Sequence, residues 1–422
     1  MARKRNRDTQ NDDHADIDEE MVEQIMFPFM FFGGGGECGG GGNNSNKEFR
    51  EKVKNLPLEP NLIDLLLKKL DKELDDKMYN WFNNLLKIPF GKFSSNRASE
   101  PVKKKRKLPS KENNVESIDM ESFFNDAIKL LDENIYGLEV VKEEIISYSA
   151  GIKSGGKHPK ILGLYGNAGI GKTEITRNGI ARALNRKISC ISCGGMKDSS
   201  YLVGFDYTYQ GSRYGKFVES FITAGEMDPV IFIDELDKIS DTNEGREIEN
   251  TLIHILDPSQ NHDFRDKYFS EIPIDMSNCI FVVAFNDKHR ISPILLDRMN
   301  IIKVPDPSVD AKLNIFQKHL LPRAMKLYSK NFKPDDIKFT DDIVKYIVKN
   351  FTNESGVRNL NRCLETILSR LNVIKMLGKS VDKFKFSFLL NLSFPVVITE
   401  NIVDKLLKKE EEKSQLWKNL YM

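Results

Sequence analysis

The chain is 422 residues long, enough for two or three domains of ordinary size. Its 63 basic and 62 acidic side chains nearly cancel, leaving a formal charge of +1, so global charge singles out neither a nucleic acid nor a membrane surface as partner. No run approaches the ~20 apolar residues of a membrane helix, and five scattered cysteines make no disulfide framework.

In chain order, the first segment opens "MARKRNRDTQNDDHADIDEE", acidic too early for a secretory signal or a transit peptide, which points to a soluble intracellular protein. Residues 1–60 read as a low-complexity, disordered tail built of charge blocks, "GGGGECGGGG" and "NNSN". Within it, "IMFPFMFF" at 25–32 reads either as a stretch that docks on its own domain or as a peptide for a partner or membrane surface. Residues 61–95 turn helical, with Leu62, Leu65, Leu66, Leu70, Met78, Trp81, Phe82, Leu85 and Leu86 on one face. Pro89 and Gly91 end that pattern. The linker 96–118 carries the basic run Lys103–Lys107, which reads as a nuclear import signal or as a solvated charge run.

A helical block at 119–150 leads into strand–turn–helix alternation up to residue 305. The strands expected are "ILGLYG", "KISCIS", "VIFIDE", "CIFVVAFN" and "NIIKVPDP", continuous apolar runs of the kind a parallel sheet buries on both faces. The fold expected is therefore an α/β three-layer P-loop domain over 119–305. A helical lid follows at 306–408, where Ile343, Val344, Ile347 and Val348 share a face, and then a charged tail at 409–422.

The sharpest chemical signal is "GNAGIGKT". Gly166, Gly171, Lys172 and Thr173 fit the spacing of a phosphate-binding loop that also holds Asn167, Ala168, Gly169 and Ile170. Glycines let backbone N–H groups curl round a phosphate, the helix N-terminus adds its dipole, Lys172 reaches the outer oxygens and Thr173 ligates Mg²⁺. A strand before and a helix after count against a chance glycine turn. In "PVIFIDELDK" an apolar strand ends in Asp234, placed for the Mg²⁺ shell, and Glu235, placed to polarise an attacking water. Asn286 closes "FVVAFN" at the strand end facing the ligand crevice, or else caps the following turn. Cys190 and Cys193 lack the second ligand pair of a zinc site and read as strand residues. These elements alone imply ATP with Mg²⁺.

The order of the pieces resembles the AAA+ ATPase module of Lon proteases. The resemblance is carried by "MYNWFNNLLKIPFGKFS", "LLDENIYGLEVVKEEIISY", "GGMKDSSYLVGFDYTYQGSRYGKF", "LDPSQNHDFRDKYF", "LLDRM", "HLLPRAM" and "ESGVRNLNR". It spans about three quarters of the chain with long, specific motifs. It implies that Tyr136 and Gly137 line an adenine pocket and that Asn286 senses the γ-phosphate. It also implies that Arg298 reaches a neighbouring subunit's nucleotide and that Arg358 is a lid sensor. Tyr209, Gln210 and Gly211 match the central-pore loop, where Gln210 departs from the family's aliphatic residue. Asn167 and Ala168 stand where the family carries prolines.

The family's large N-terminal substrate domain and its serine–lysine peptidase have no counterpart in the sequence as read. Ser414 beside Lys413 has no packed scaffold to make it a nucleophile. The expected protein is a ring-forming homo-oligomer, a hexamer by resemblance, that uses ATP to unfold protein without cutting it. A separate peptidase is a further partner in that picture, DNA a weaker one, and no membrane span is expected. The competing expectation is a non-catalytic ATP-binding subunit that regulates a Lon-like or other AAA+ assembly.

Overall fold

The structure is a computed structural model, and it describes residues 42–71, 74–94, 120–153 and 161–407. The apolar stretch 25–32, the basic run 103–107 and the tail with Ser414 lie outside the described residues.

The segment expected to be disordered to residue 60 is helical from Gly42: α1 spans Gly42–Lys54 and buries Phe49 and Val53 completely or nearly so. Composition hid this helix, because two apolar residues four apart suffice once a partner surface exists. The single apolar face read over 62–86 is divided between α2 (Pro60–Lys69) and α3 (Asp76–Leu85). Pro60 starts α2 at the first-turn position where its missing N–H costs nothing. Asp75 starts α3 by accepting from the Met78 N–H at 2.8 Å. Trp81, Phe82 and Leu85 then bury against the domain that follows.

That domain is built on five parallel strands: β1 (Ile161–Tyr165), β2 (Ile188–Ser192), β3 (Val230–Asp234), β4 (Ile280–Phe285) and β5 (Met299–Lys303). All five were legible as apolar runs. They pair in the order β2-β3-β4-β1-β5, so the chain leaves β1, builds the sheet's far edge, and returns to insert β4 beside β1. The register sets Gly163 of β1 opposite Val283 of β4 and Ile301 of β5. Helices α4 (Met120–Asn134) and α5 (Glu139–Lys153) replace the single block expected at 119–150; the break falls at Tyr136–Gly137, where Gly137 and Leu138 take positive φ.

Two apolar layers sandwich the sheet. One joins Leu131, Ile135, Ile145 and Ile180 to the β-residues Leu162, Phe232 and Val282. The other joins Phe217, Phe221, Phe269 and Phe281 to Trp81 and Phe82, so α1–α3 share a core with the sheet. Trp81 donates its indole N–H to the Tyr268 carbonyl at 2.7 Å and sits 5.4 Å from the Phe269 ring. At the end of the segment the Ser94 N–H and hydroxyl both bond the fully buried Asp228, at 2.8 and 2.9 Å.

Between the strands run α6 (Lys172–Glu174), α7 (Ser200–Val203), α8 (Lys216–Ala224), α9 (Asn243–Leu256) and α10 (Pro293–Asp297). The lid keeps a core of its own, with Phe316, Ile347, Leu360, Leu364, Leu368 and Val403 buried together. It comprises α11 (Val309–Ile315), continued by a π-helical turn Phe316–Leu320, α12 (Leu321–Leu327), α13 (Asp341–Phe351), α14 (Arg358–Leu377) and α15 (Glu400–Leu406). Expected to be all helical, it also holds two short parallel strands, β6 (Ile337–Lys338) and β7 (Val396–Val397). Strands of two residues leave no period for a sequence reading to detect.

Candidate nucleotide site

The loop after β1 closes on itself through space only glycine leaves. A Cβ at Gly166 would stand 2.6 Å from the Val304 carbonyl oxygen and 2.5 Å from Ile170 Cδ1. Gly169 and Gly171 hold φ of 78° and 96°, left-handed values that L-residues resist. Lys172 then begins α6, whose first residues Lys172–Glu174 run on into a π-helical stretch, Ile175–Ala181. Within that stretch Gly179 lets Ile135, the residue after α4, come close, since a Cβ there would stand 2.7 Å from Ile135 Cδ1.

Lys172 is folded into this loop. Its Nζ donates to the Gly166 carbonyl at 2.6 Å, to the Asn167 carbonyl at 2.9 Å and to Asn286 Oδ1 at 2.6 Å. Burial pushes its pKa down, while Asp234 and Asp237 pull it up and Arg358 pushes it down. An anion arriving at the loop would therefore take over three donor directions now satisfied by carbonyl and amide oxygens. Asn286 thus turns its amide oxygen to the loop lysine.

The acidic pair closes β3 as expected. Asp234 is half-buried, and desolvation raises its pKa against the Glu235 N–H that bonds its Oδ1 at 2.8 Å, with Glu235 adding a repulsive contribution and Lys172 and Arg358 attractive ones. A half-buried carboxylate at the end of a parallel strand suits a hard cation that keeps most of its own water. No group of three or more His, Cys, Asp or Glu residues forms a metal cluster among the described residues. Glu235 takes a left-handed φ of 58° and accepts from the Ser192 hydroxyl at 3.3 Å. Two residues on, Asp237 is 1% exposed and neither of its oxygens has a hydrogen-bond partner.

The lid meets the phosphate loop directly. The Val357 N–H donates to the Gly169 carbonyl at 2.9 Å, and Gly356 packs on the backbone of Ala168 and Gly169. Arg358 Cβ lies close enough to limit any side chain at 169. Lys312 of α11, 7% exposed, ties the same lid turn down by donating to the Glu354 carbonyl at 3.0 Å. Asn167 bridges the loop to the strand–lid connector, donating to both carboxylate oxygens of Asp306 at 3.0 and 2.9 Å. On the other side the Tyr136 ring lies 5.6 Å from Lys318 Nζ, a cation from the lid over an aromatic face.

Arg298 stands apart from the phosphate loop, as do Tyr209 and Gln210. It caps α10 (Pro293–Asp297) and is engaged by Asp257, at the end of α9 (Asn243–Leu256), rather than by any residue of the phosphate loop. The segment expected to line a pore projects between Gly204 and Gly215. Tyr209 and Gln210 are exposed at its tip, Tyr209 to 68%. Its base is fixed by the fully buried Asp266, which accepts from the Gly215 N–H at 2.8 Å and the Tyr268 N–H at 2.8 Å. Its flank touches the helical segment: Lys77 of α3 donates to the Thr208 carbonyl at 2.7 Å, and Tyr207 lies 6.2 Å from Trp81. Cys190 lies in β2 and Cys193 follows it, where burial pushes the Cys193 thiol up to about 12.

Sequence reasoning missed Ser192, Gly194, Asp257, Asp266, Asp306 and Gly356. Of these only Ser192 and Gly194 adjoin a residue already singled out, Cys193.

Compared with known proteins, residues 162–305 match the model of the ATPase family associated with various cellular activities (AAA). Residues 329–384 match the Lon protease AAA+ ATPase lid domain. A Lon protease homolog of Acanthamoeba polyphaga mimivirus is 38% identical over 60% of this chain and 24% of its own length. The Lon protease of Aquifex aeolicus is 37% identical over 69% of this chain and 35% of its own. That of Leptospira interrogans is 34% identical over 86% of this chain and 39% of its own. The chain thus spans between about a quarter and two fifths of the length of these curated relatives.

Proposed function

We propose that this chain, whose residues 162–305 match an AAA ATPase and 329–384 the Lon lid, hydrolyses ATP with Mg²⁺ at subunit interfaces and uses the work to unfold protein. The observation that supports this most is convergence: phosphate-loop lysine, strand-end amide, acidic pair and lid arginine meet at the carboxyl ends of β1, β3 and β4. Gly166–Thr173 would hold the phosphates, Thr173 and Asp234 the Mg²⁺, and Tyr136 and Gly137 the base. The bound nucleotide supplies the phosphoanhydride that breaks. Glu235 takes the proton of the attacking water, Lys172, Asn286 and Arg358 offset charge on the phosphate oxygens, and Arg298 serves the neighbouring copy's site.

In a ring of copies, a hexamer by analogy with the family, Tyr209 and Gln210 would bear on an unfolded polypeptide. A separate peptidase and DNA belong to the proposal only as further partners, and residues 103–107 as an import signal. No helix among the described residues is long and apolar enough to cross a membrane.

The test is ATP turnover by the purified chain with and without an unfolded protein, alongside mass in solution. Turnover stimulated by the unfolded protein, and slowed by about 10²–10⁴ in Glu235→Gln with binding kept, is expected. Lys172→Ala should instead weaken binding. A chain that binds ATP yet turns over only when mixed with a complete Lon ring would be the regulatory subunit instead.

A further inference from the structure

The structure assigns to Asp257 the role of a positioning residue for Arg298, an inference that rests on the shared-interface reading above. Arg298 carries a long side chain with four rotatable bonds, and a group that must act on a neighbouring copy gains from being aimed before the copies meet. Asp257 provides that aim. Its Oδ1 is occupied by the N–H and hydroxyl of Ser259, at 2.9 and 2.7 Å, which fixes the plane of the carboxylate. Its Oδ2 is thereby turned to Arg298 and accepts from Nη2 at 3.0 Å. The second terminal nitrogen, Nη1, donates to the Ile294 carbonyl at 3.2 Å, so one guanidinium edge is held at two points.

The pair is partly shielded, with side chains 28% and 18% exposed, so solvent weakens it less than an ordinary surface ion pair. The Ser259 hydrogen bonds and Arg298 together hold the Asp257 carboxyl down at about 2, and it stays ionised across the physiological range. Asp257 and Ser259 belong to the turn after α9, whereas Arg298 ends α10, so two separate elements must be in register for the fork to form. Among the described residues, no hydrogen bond or ion pair joins Arg298 to the phosphate loop of its own copy. Asp257 acts on the reaction only through Arg298.

The experiment uses the full chain in mixed assemblies. Asp257→Asn keeps an oxygen for Ser259 but sets an amide against the guanidinium. It should slow ATP turnover about tenfold to a hundredfold, less than the ~10³–10⁵ of Arg298→Ala, with nucleotide affinity unchanged. Mixed with Glu235→Gln subunits it should recover activity, because some interfaces then pair an intact Arg298 with an intact Glu235. Mixed with Arg298→Ala it should recover nothing, since both lack the same half of the interface. A merely structural defect would not sort the two mixtures in this way.

Ser259→Ala should act in the same direction and more weakly, and it stands in if Asp257→Asn melts early. Wild-type turnover by either folded variant, beside a slow and rescuable Arg298→Ala, overturns the positioning role alone. Arg298→Ala that Glu235→Gln cannot rescue despite proven co-assembly breaks the shared-interface reading itself.

Discussion

Gly194 lies so close to Glu235 that a Cβ at residue 194 would overlap the Glu235 carboxylate. The carboxylate that would activate water therefore owes its place to a missing side chain after β2, and to the Ser192 hydroxyl at the strand's end. Gly194→Ala should displace Glu235 and slow turnover toward the level of Glu235→Gln, about 10²-fold or more, while nucleotide binding stays intact. Stopped-flow turnover with a parallel binding titration checks this. A variant with full turnover would mean that Glu235 acts from another position.

Gly356 makes a comparable prediction for the lid. A Cβ there would overlap the Gly169 backbone and lift α14 off the phosphate loop, and the Val357–Gly169 hydrogen bond would go with it. Nucleotide affinity should fall about tenfold, the equivalent of one hydrogen bond of roughly 1.4 kcal/mol. Fluorescent-ADP binding to Gly356→Ala is the measurement, and an unchanged affinity would show that the lid does not bear on the loop.

Much of this site was legible beforehand, for a reason that Lys172, Asp234 and Asn286 share. Each sits at the end of a buried parallel strand or its loop, and five continuous apolar runs gave those ends away. Asp257, Asp306 and Gly356 were illegible because each acts on a residue distant in sequence, 41 positions away for Asp257 and 139 for Asp306. No local period or spacing encodes such a pairing. Helix α1 was hidden differently: its composition is that of a polar tail, and only the aromatic surface of Tyr79 and Phe82 beside Phe49 makes a helix there stable.

Asp266 should make stability pH-dependent. Burial raises its pKa to about 7, against the N–H groups of Gly215, Tyr268 and Phe269 and the charge of Lys267, which pull it down. A carboxyl raised above its unfolded value of about 3.9 favours the folded state fully below that pH and loses the contribution as pH rises through about 7. Urea melts at pH 5 and pH 8 should show wild type losing stability over this interval relative to Asp266→Asn, whose amide does not titrate. The variant should be less stable at pH 5 by about 1–3 kcal/mol, because its N–H groups would face backbone donors. Parallel pH slopes in the two proteins would rule out Asp266 as the source.

Trp81 tests whether α1–α3 fold with the sheet. Trp81→Ala removes the bond to the Tyr268 carbonyl and the contacts with Phe82 and Phe269, and should cost about 3–5 kcal/mol in a single cooperative transition. A change near zero, or a separate early transition, would mean that the helices dock as an independent piece.

The grip of Lys77 on Thr208, with Tyr207 lying beside Trp81, makes the exposed loop a loaded beam propped at mid-span. Any force applied at Tyr209 divides along two routes. One runs through Gly204 and Gly215 to the buried Asp266 carboxylate; the other runs through Thr208 into α3 and on to the Ser94–Asp228 anchor. The second route carries tension until the Lys77 hydrogen bond breaks, and only beyond that point does the loop travel freely. A resisting load would then meet a stiff response first and a compliant one after, and trimming the Lys77 side chain would remove the stiff phase while leaving the loop's tip chemically unaltered.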